Sequence, residues 1–145
     1  MSAQTGSPRY IIYLNEACDQ LEALDKSLEK RIRKEARKFL TAWNATDVFD
    51  DDKTVTKDVD YIKRDRGATR GFGSYIEIGG VHLLIVLAVF KEDDKGDFWL
   101  EKTLYQSKVA EYQQVLDEEN QDGAIESYIE NLRANEDYLV IGPDE

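Results

Sequence analysis

Cysteine, histidine and long apolar stretches are nearly absent from this chain of 145 residues. The single cysteine, Cys18, excludes a disulfide bond within one chain. Together with the single histidine, His82, it is too little for a zinc site with four cysteine and histidine ligands. The longest nearly apolar stretch covers residues 81–90, whereas a membrane-spanning helix needs about 20 residues. We therefore expect neither a disulfide-stabilised fold nor a membrane span.

We also expect no secretory signal, since residues 1–9 contain no apolar core. We expect a soluble, cytoplasmic protein without membrane contacts. Hydrophobic residues make up 41% of the chain and charged residues 34%, which suits one folded domain and excludes an intrinsically disordered chain. The acidic segments 50–52 and 92–94 lack the ligand spacing of a calcium loop, so we expect no metal and no other cofactor.

The net charge of −11 is distributed unevenly along the chain. Residues 1–44 contain 8 Lys and Arg against 6 Asp and Glu, whereas residues 81–145 contain 5 against 16. Two stretches, residues 26–38 and 63–70, are locally basic. Such stretches suit phosphate binding, because neutralisation of phosphates drives nucleic-acid affinity, and they equally suit a solvated helix face. The acidic remainder opposes polyanions at long range.

The spacing of apolar residues predicts the order of strands and helices. Residues 10–14 are typical of a short strand, and the apolar residues that follow recur at spacings of three and four, which predicts a helical hairpin up to about residue 43. Strand-like segments begin near residue 55. Gly79 and Gly80 predict a two-residue hairpin turn before a doubly buried central strand at residues 81–90.

The last part of the chain is typical of two helices, at residues 107–119 and 124–133, and of an edge strand or docking tail at residues 138–141. Together the elements predict an α+β fold: an N-terminal strand and a helical hairpin packed on a small antiparallel sheet of about four strands, with additional C-terminal helices. We expect a disordered lead at residues 1–8, a core at residues 9–105 and an acidic helical extension of the same domain at residues 106–145.

Cationic and hydroxyl-bearing side chains gather around the predicted middle strands. The group comprises Lys63, Arg64, Arg66, Arg70, Tyr75 and Lys91. Metal-independent RNA cleavage needs such groups, because cations stabilise the charge on the scissile phosphate and a side chain removes the proton of the 2′-hydroxyl. The arginine fork also matches two phosphate oxygens. Surface strands carry Arg and Lys without any catalytic role as well, so the composition alone leaves both interpretations open.

The order of these segments resembles the RelE/ParE/HigB superfamily of toxins from type II toxin–antitoxin systems. The resemblance covers about residues 9–91 and rests on the hairpin LEALDKSLEKRIRKEARKFL and on the strand region KRDRGATRGFGSYIEIGGVHLLIVLAVFKEDD. It implies a two-helix arm before a small antiparallel sheet. It also implies one of two activities: metal-independent mRNA cleavage in the ribosomal A site, as in RelE-type members, or inhibition of DNA gyrase, as in ParE-type members.

The resemblance extends to individual residues and partners. The resemblance implies catalytic roles for Arg66, Tyr75 and Lys91, and we add Arg70 from the same cationic group. The arginines would stabilise the phosphate, and the other two would transfer protons or position the RNA. The nucleic-acid-binding residues that we predict are Lys30, Arg33, Lys34, Arg37, Lys63 and Arg64. An antitoxin protein and the ribosome with its mRNA are the expected partners, and the predicted function is that of a metal-independent mRNA endoribonuclease that inhibits translation.

The acidic last third of the chain suggests further hypotheses. Residues 107–145 would cover the basic surface of a RelE-like ribonuclease and imitate RNA phosphates. Alternatively, the chain is a non-catalytic binding protein on the same fold, which presents its acidic surface to a basic partner as a nucleic-acid mimic or inhibitor. In a third interpretation, the surface acid only maintains solubility in a salt-rich setting.

Overall fold

The computed structural model describes residues 7–63 and 69–143, without the side chains of residues 51–53. Over these residues the chain is a mixed α and β fold, as the sequence predicts. Most of the predicted disordered lead lies outside the described residues. In the described part of the chain, no helix combines the length and the apolar character that a membrane crossing requires.

Six strands form one sheet in the described residues. In their order across the sheet they are β2 (Phe49–Thr56), β3 (Val59–Ile62), β4 (Thr69–Ile78), β5 (Val81–Lys91), β1 (Arg9–Tyr13) and β6 (Leu139–Ile141). β5 is the predicted doubly buried strand, and residues 83–90 of it are buried. The most apolar segment of the sequence therefore forms the centre of the sheet, with β4 and β1 beside it.

The prediction of a small antiparallel sheet is wrong in two respects. The sheet has six strands rather than about four, and β1 runs parallel to β5, with Ile11 opposite Leu84 and Tyr13 opposite Val86. An apolar run has the same pattern beside a parallel neighbour as beside an antiparallel one, so periodicity does not reveal strand direction. The segment at residues 138–141 resolves into the edge strand β6, antiparallel to β1.

Five α-helices in the described residues pack on the two faces of this sheet. They are α1 (Asn15–Ala23), α2 (Lys26–Arg37), α3 (Lys95–Leu100), α4 (Lys102–Gln121) and α5 (Ile125–Arg133). Short 3₁₀ turns lie at Lys38–Leu40, Ala45–Val48 and Glu92–Asp94. The predicted helical hairpin corresponds to α1 and α2, whose inward stripe includes Leu21, Ile32 and Ala36.

Arg9 fixes the end of α2 to the start of β1. Its guanidinium is buried and donates hydrogen bonds to the carbonyl oxygens of Phe39 (2.6 Å) and Ala42 (2.9 Å), just beyond the helix. Burial lowers the pKa of Arg9, because removal from water disfavours the charged form. Carbonyl groups at the end of a helix carry partial negative charge, which offsets part of that cost. The contact holds α2 in one position over the sheet.

Gln20 fixes α1 in a similar way. The pairing of β1 with β5 ends at Tyr13 and Val86, and further along β5 the backbone N–H of Val89 has no β1 carbonyl to bind. The side-chain oxygen of Gln20 accepts that hydrogen bond at 2.8 Å. A side chain of α1 thus takes the place of the missing strand, since a buried N–H requires a partner.

α4 and α5 cover the opposite face of the sheet. Their buried residues are Tyr105, Val109, Leu116, Ile125, Ile129 and Leu132, which pack with Phe72, Ile76 and Leu83 of the sheet. Gly71 and Gly73 lie on the other side of β4. A Cβ atom on Gly71 would meet Ile32 of α2, and a Cβ atom on either glycine would meet Ile62 of β3. α2 and α4 therefore lie on opposite faces of the sheet, and the hypothesis that residues 107–145 cover the basic surface of a RelE-like ribonuclease stays a prediction.

The predicted hairpin turn at Gly79 and Gly80 is confirmed. It joins β4 to β5 directly, and both glycines adopt positive φ, +58° and +81°. A Cβ atom on Gly79 would lie 2.8 Å from Cγ2 of the buried Ile125, whereas a Cβ atom on Gly80 would meet nothing within 4 Å. Both positions thus require a positive φ angle, but only Gly80 has space for a side chain.

This difference predicts unequal effects of the same substitution. Gly80→Ala should lower the free energy of unfolding by about 1–2 kcal/mol, the cost of a left-handed conformation for a residue with a Cβ atom. Gly79→Ala should cost about 1–3 kcal/mol more, because the methyl group also overpacks Ile125. Urea unfolding of both variants measures the difference. Equal losses would contradict the close contact between the turn and α5.

Candidate functional site

Four of the predicted binding residues line a groove beside α2, which we call the α2 groove. It has a volume of about 460 Å³. Its lining residues are Ile11, Tyr13, Lys26, Glu29, Lys30, Arg33, Lys34, Arg37 and Ile141. The three sheet residues among them are apolar or aromatic and form its floor, while the helix contributes five cations and one carboxylate. The groove is thus apolar at its base and cationic along its wall.

The groove exists because the sheet is wider than the helices on this face. α2 packs mainly on β4 and α1 mainly on β5, so the space next to α2, above β1 and β6, stays open. Ile11 and Ile141 are paired across β1 and β6, which makes the floor continuous. The long aliphatic stems of Lys and Arg extend this apolar surface up the wall, since such side chains keep only their charged heads in water.

The electrostatics of the groove are dominated by positive charge. Arg33 is partly compensated by Glu29, one helical turn away, at 3.4 Å. Lys26, Lys30, Lys34 and Arg37 are exposed. Burial raises the pKa of Tyr13, while the nearby Arg33 and Arg37 act in the opposite direction. The tyrosine therefore stays uncharged and supplies a flat, non-acidic part of the floor.

The predicted nucleic-acid-binding residues fall into two groups. The structure brings Lys30, Arg33, Lys34 and Arg37 together in the α2 groove. Lys63 is exposed elsewhere, directly after β3, where its backbone N–H donates to the carbonyl oxygen of Val48. Arg64 lies outside the described residues, as does Arg66 of the predicted catalytic set.

Five groove residues were not among the predicted binding residues: Ile11, Tyr13, Lys26, Glu29 and Ile141. Ile11 and Tyr13 belong to a run that is typical of a buried strand, and Ile141 lies 130 positions further along the chain. Only the pairing of β6 with β1 brings them together. The helical spacing of Lys26 with Lys30, and of Lys30 with Lys34, did signal that these cations share one face.

Arg70, a predicted catalytic residue, lies inside the protein. Its side chain is 5% exposed, and its guanidinium donates to Asp50 at 2.5 Å and to Glu92 at 3.1 Å. It also stacks over the ring of Tyr61, 4.7 Å from the ring centroid. These contacts join β4 to β2 and to the turn after β5. The charge of Arg70 is thus compensated internally by two carboxylates.

Tyr75 and Lys91, the other described members of the predicted catalytic set, lie far apart. Lys91 is exposed and opposite Thr69, six residues along β4 from Tyr75. At about 3.3 Å per residue this separation is roughly 20 Å. The structure therefore does not bring Arg70, Tyr75 and Lys91 to a single phosphate-sized position.

Tyr75 does have a chemical partner. Its hydroxyl oxygen lies 2.6 Å from His82 Nδ1, and the two rings are stacked. Glu77 lies 4.0 Å from the other ring nitrogen of His82. Burial raises the pKa of Tyr75, so the hydroxyl keeps its proton at neutral pH.

A polar pocket of about 380 Å³ lies beside Tyr75. Its lining residues are Thr46, Phe49, Asp50, Thr54, Asp58, Asp60, Ser74 and Tyr75. Burial raises the pKa of Asp60, although a hydrogen bond from Thr54 opposes the shift. Three carboxyl groups make the pocket unfavourable for a phosphate. Among the described residues, no group of three or more His, Cys, Asp and Glu side chains is arranged to hold a metal ion.

The position of Arg70 predicts a large structural effect of its removal. Arg70→Ala should lower the free energy of unfolding by about 2–3 kcal/mol, because it leaves Asp50 and Glu92 without their shared cation. This value is below that of a fully buried pair, since the two carboxylate side chains are 26% and 22% exposed. The control is Arg33→Ala, which removes a partly exposed i,i+4 helix pair that is worth about 0.3–0.5 kcal/mol. Similar urea midpoints for the two variants would contradict the internal role of Arg70.

Comparisons of the chain with protein-family models, with curated proteins and with solved structures gave no match.

Proposed function

We propose that this protein is a binding protein whose α2 groove holds an acidic, amphipathic segment of a partner protein. The observation that carries the proposal is the combination of an apolar floor with a wall of five cations in one groove of about 460 Å³. A partner segment with leucine-like side chains on one face and carboxylates beside them complements both parts. Burial of the apolar side chains supplies affinity, and the charges supply orientation and association rate.

The floor of the groove favours a protein segment over a nucleic acid. A nucleic acid presents phosphates and bases, and sequence-tolerant binding of single strands depends on exposed aromatic rings on which bases stack. Tyr13 is the one aromatic residue that lines the groove, so the groove offers no series of rings for successive bases. The edges of Ile11 and Ile141 and the aliphatic stems of the wall residues suit aliphatic side chains. The net charge of −11 opposes a long polyanion more than a short acidic peptide.

The resemblance to toxin–antitoxin proteins is compatible with this proposal, since it implies an antitoxin protein as one partner. The groove would give such a partner a place to bind. The proposal does not require the resemblance, because the recognition chemistry rests on the groove residues alone.

A labelled synthetic peptide tests the proposal. The probe is an 18-residue helical peptide with leucines on one face and glutamates flanking them, and its control is a scrambled peptide of the same composition. The double variant Lys34→Glu, Arg37→Glu should bind the probe at least tenfold more weakly than the native chain in fluorescence anisotropy, because it reverses two wall charges. The matched control Lys57→Glu, Lys91→Glu, which alters exposed lysines outside the groove, should bind normally.

Two results would reject the binding function. Equal weakening by the two double variants would show that only net charge matters. Equal affinity for the amphipathic and the scrambled peptide would remove the role of the apolar floor. A labelled oligouridine run in parallel provides the comparison with a nucleic acid, and a preference for it over the peptide would also count against the proposal.

A metal-independent mRNA endoribonuclease is the second candidate function. The observation that favours it is the 2.6 Å contact between the Tyr75 hydroxyl and His82 Nδ1, which provides a protonated hydroxyl linked to an imidazole. Such a pair suits the proton transfers of RNA cleavage. Lys91 is too far from Tyr75 to stabilise a phosphate there, and Arg70 is paired with Asp50 and Glu92. The binding function therefore has the stronger support.

Cleavage assays on programmed ribosomes separate the two candidates. An endoribonuclease should cleave A-site mRNA in the presence of EDTA, and Tyr75→Phe should reduce the rate at least a hundredfold, because it removes the proton donor while keeping the ring against Phe39. Circular dichroism checks that the variant is folded. Absence of cleavage by the native chain, or full activity of the folded Tyr75→Phe variant, would remove the endoribonuclease role of this pair.

A further inference from the structure

A second surface on this molecule is apolar and exposed. It lies where α3 meets α4 and consists of Trp99, Leu100 and Leu104, with 42%, 75% and 58% of their surfaces exposed. We call it the α3–α4 patch. Large apolar side chains grouped in this way on a soluble surface commonly mark a contact with another protein.

The patch is exposed because the inward sides of α3 and α4 are occupied by other residues that pack against the sheet. Phe98 stacks on Phe90 with ring centroids 4.2 Å apart, and Tyr105 is 2% exposed in the core. These two anchors hold α3 and the start of α4 against the sheet. Leu100, the last residue of α3, and Leu104, in the first turn of α4, consequently keep their side chains in solvent.

Acidic side chains surround the patch. Asp93, Asp94, Asp97 and Glu101 are exposed and lie within a few residues of it along the chain. The cation nearest to the patch, Lys102, is held over the ring of Trp99, 3.3 Å from the ring centroid. The patch is therefore apolar, with more carboxylates than cations close to it in the chain, which is the character that the α2 groove complements.

We propose that the partner segment in the α2 groove is the α3–α4 patch of a second copy of this chain. The inference rests on the proposed function of the groove and names the partner. Leu100 and Leu104 of one copy enter above Ile11 and Ile141 of the next, and the acidic residues beside them meet the lysines and arginines of α2. Charge complementarity selects this arrangement, because opposite charges face each other in it.

Symmetric alternatives oppose like charges. A pair formed through two patches would bring two acidic rims together, and a pair formed through two grooves would bring the cationic walls together, which is unfavourable in both cases. The groove lies on the α2 face of the sheet, whereas α4 packs on the other face. Groove and patch of one copy are therefore free to bind different neighbours, and such head-to-tail contacts extend into a chain of molecules.

Complementing variants test this arrangement by analytical ultracentrifugation. The patch variant Leu100→Glu, Leu104→Glu keeps a native groove, and the groove variant Lys34→Glu, Arg37→Glu keeps a native patch. Each alone should be monomeric, while the native chain should associate as its concentration rises. An equimolar mixture should form a one-to-one dimer and nothing larger, because only one groove and one patch in the mixture remain able to bind.

Two controls accompany the mixture. Val115→Glu adds a charge at another exposed apolar position of α4, and Lys57→Glu reverses an exposed cation outside the groove; both should associate like the native chain. Circular dichroism verifies folding. As a second measurement, cysteines introduced by Lys30→Cys in one molecule and Leu104→Cys in another, both in a Cys18→Ser background, should form a cross-link in the mixture.

Several outcomes would overturn the proposal. These are a native chain that stays monomeric at every concentration and salt level, association that both double variants retain, and a mixture that contains only monomers although both variants are folded. The peptide assay separates this failure from that of the proposed function. If the acidic peptide binds the groove while the native chain stays monomeric, the groove binds another protein and self-assembly is rejected.

Discussion

The pairing of β1 with β5 determines where the other parts of the molecule lie. β5 is the most apolar strand and needs neighbours on both sides, and β1 meets it in parallel. The chain leaves β1 through α1 and α2, which must then lie over one face. Arg9 and Gln20 add hydrogen bonds that hold these helices in place on the sheet. With one face occupied in this way, α4 and α5 cover the other.

The width of the sheet relative to α1 and α2 then produces the candidate site. β6 extends the sheet beyond β1, but the helical hairpin does not extend with it. An amphipathic helix with a strongly basic outer side therefore borders an apolar strip of sheet. The basic residues of α2 and the apolar residues of β1 form one groove only because β6, from the other end of the sequence, pairs with β1 and completes the apolar strip.

Local patterns predicted the elements well and their assembly less well. The glycine pair, the buried central strand and the C-terminal helices follow from turn chemistry and periodicity, which act between near neighbours. The direction of β1, the width of the sheet and the floor of the groove depend on contacts between distant segments. The same limit applies to Arg70: its neighbours in sequence suggest a basic cluster, whereas Asp50 and Glu92, distant in sequence, neutralise it.

The contribution of Ile141 to the groove has a consequence for biosynthesis. During translation, β1 and α2 emerge early, whereas β6 emerges more than a hundred residues later. A nascent chain thus carries the cationic helix long before the apolar strip beside it is complete. The proposed recognition through this groove is therefore coupled to the synthesis and folding of the whole domain, and a product truncated before β6 would keep the cationic helix but lack Ile141 in the floor of the groove.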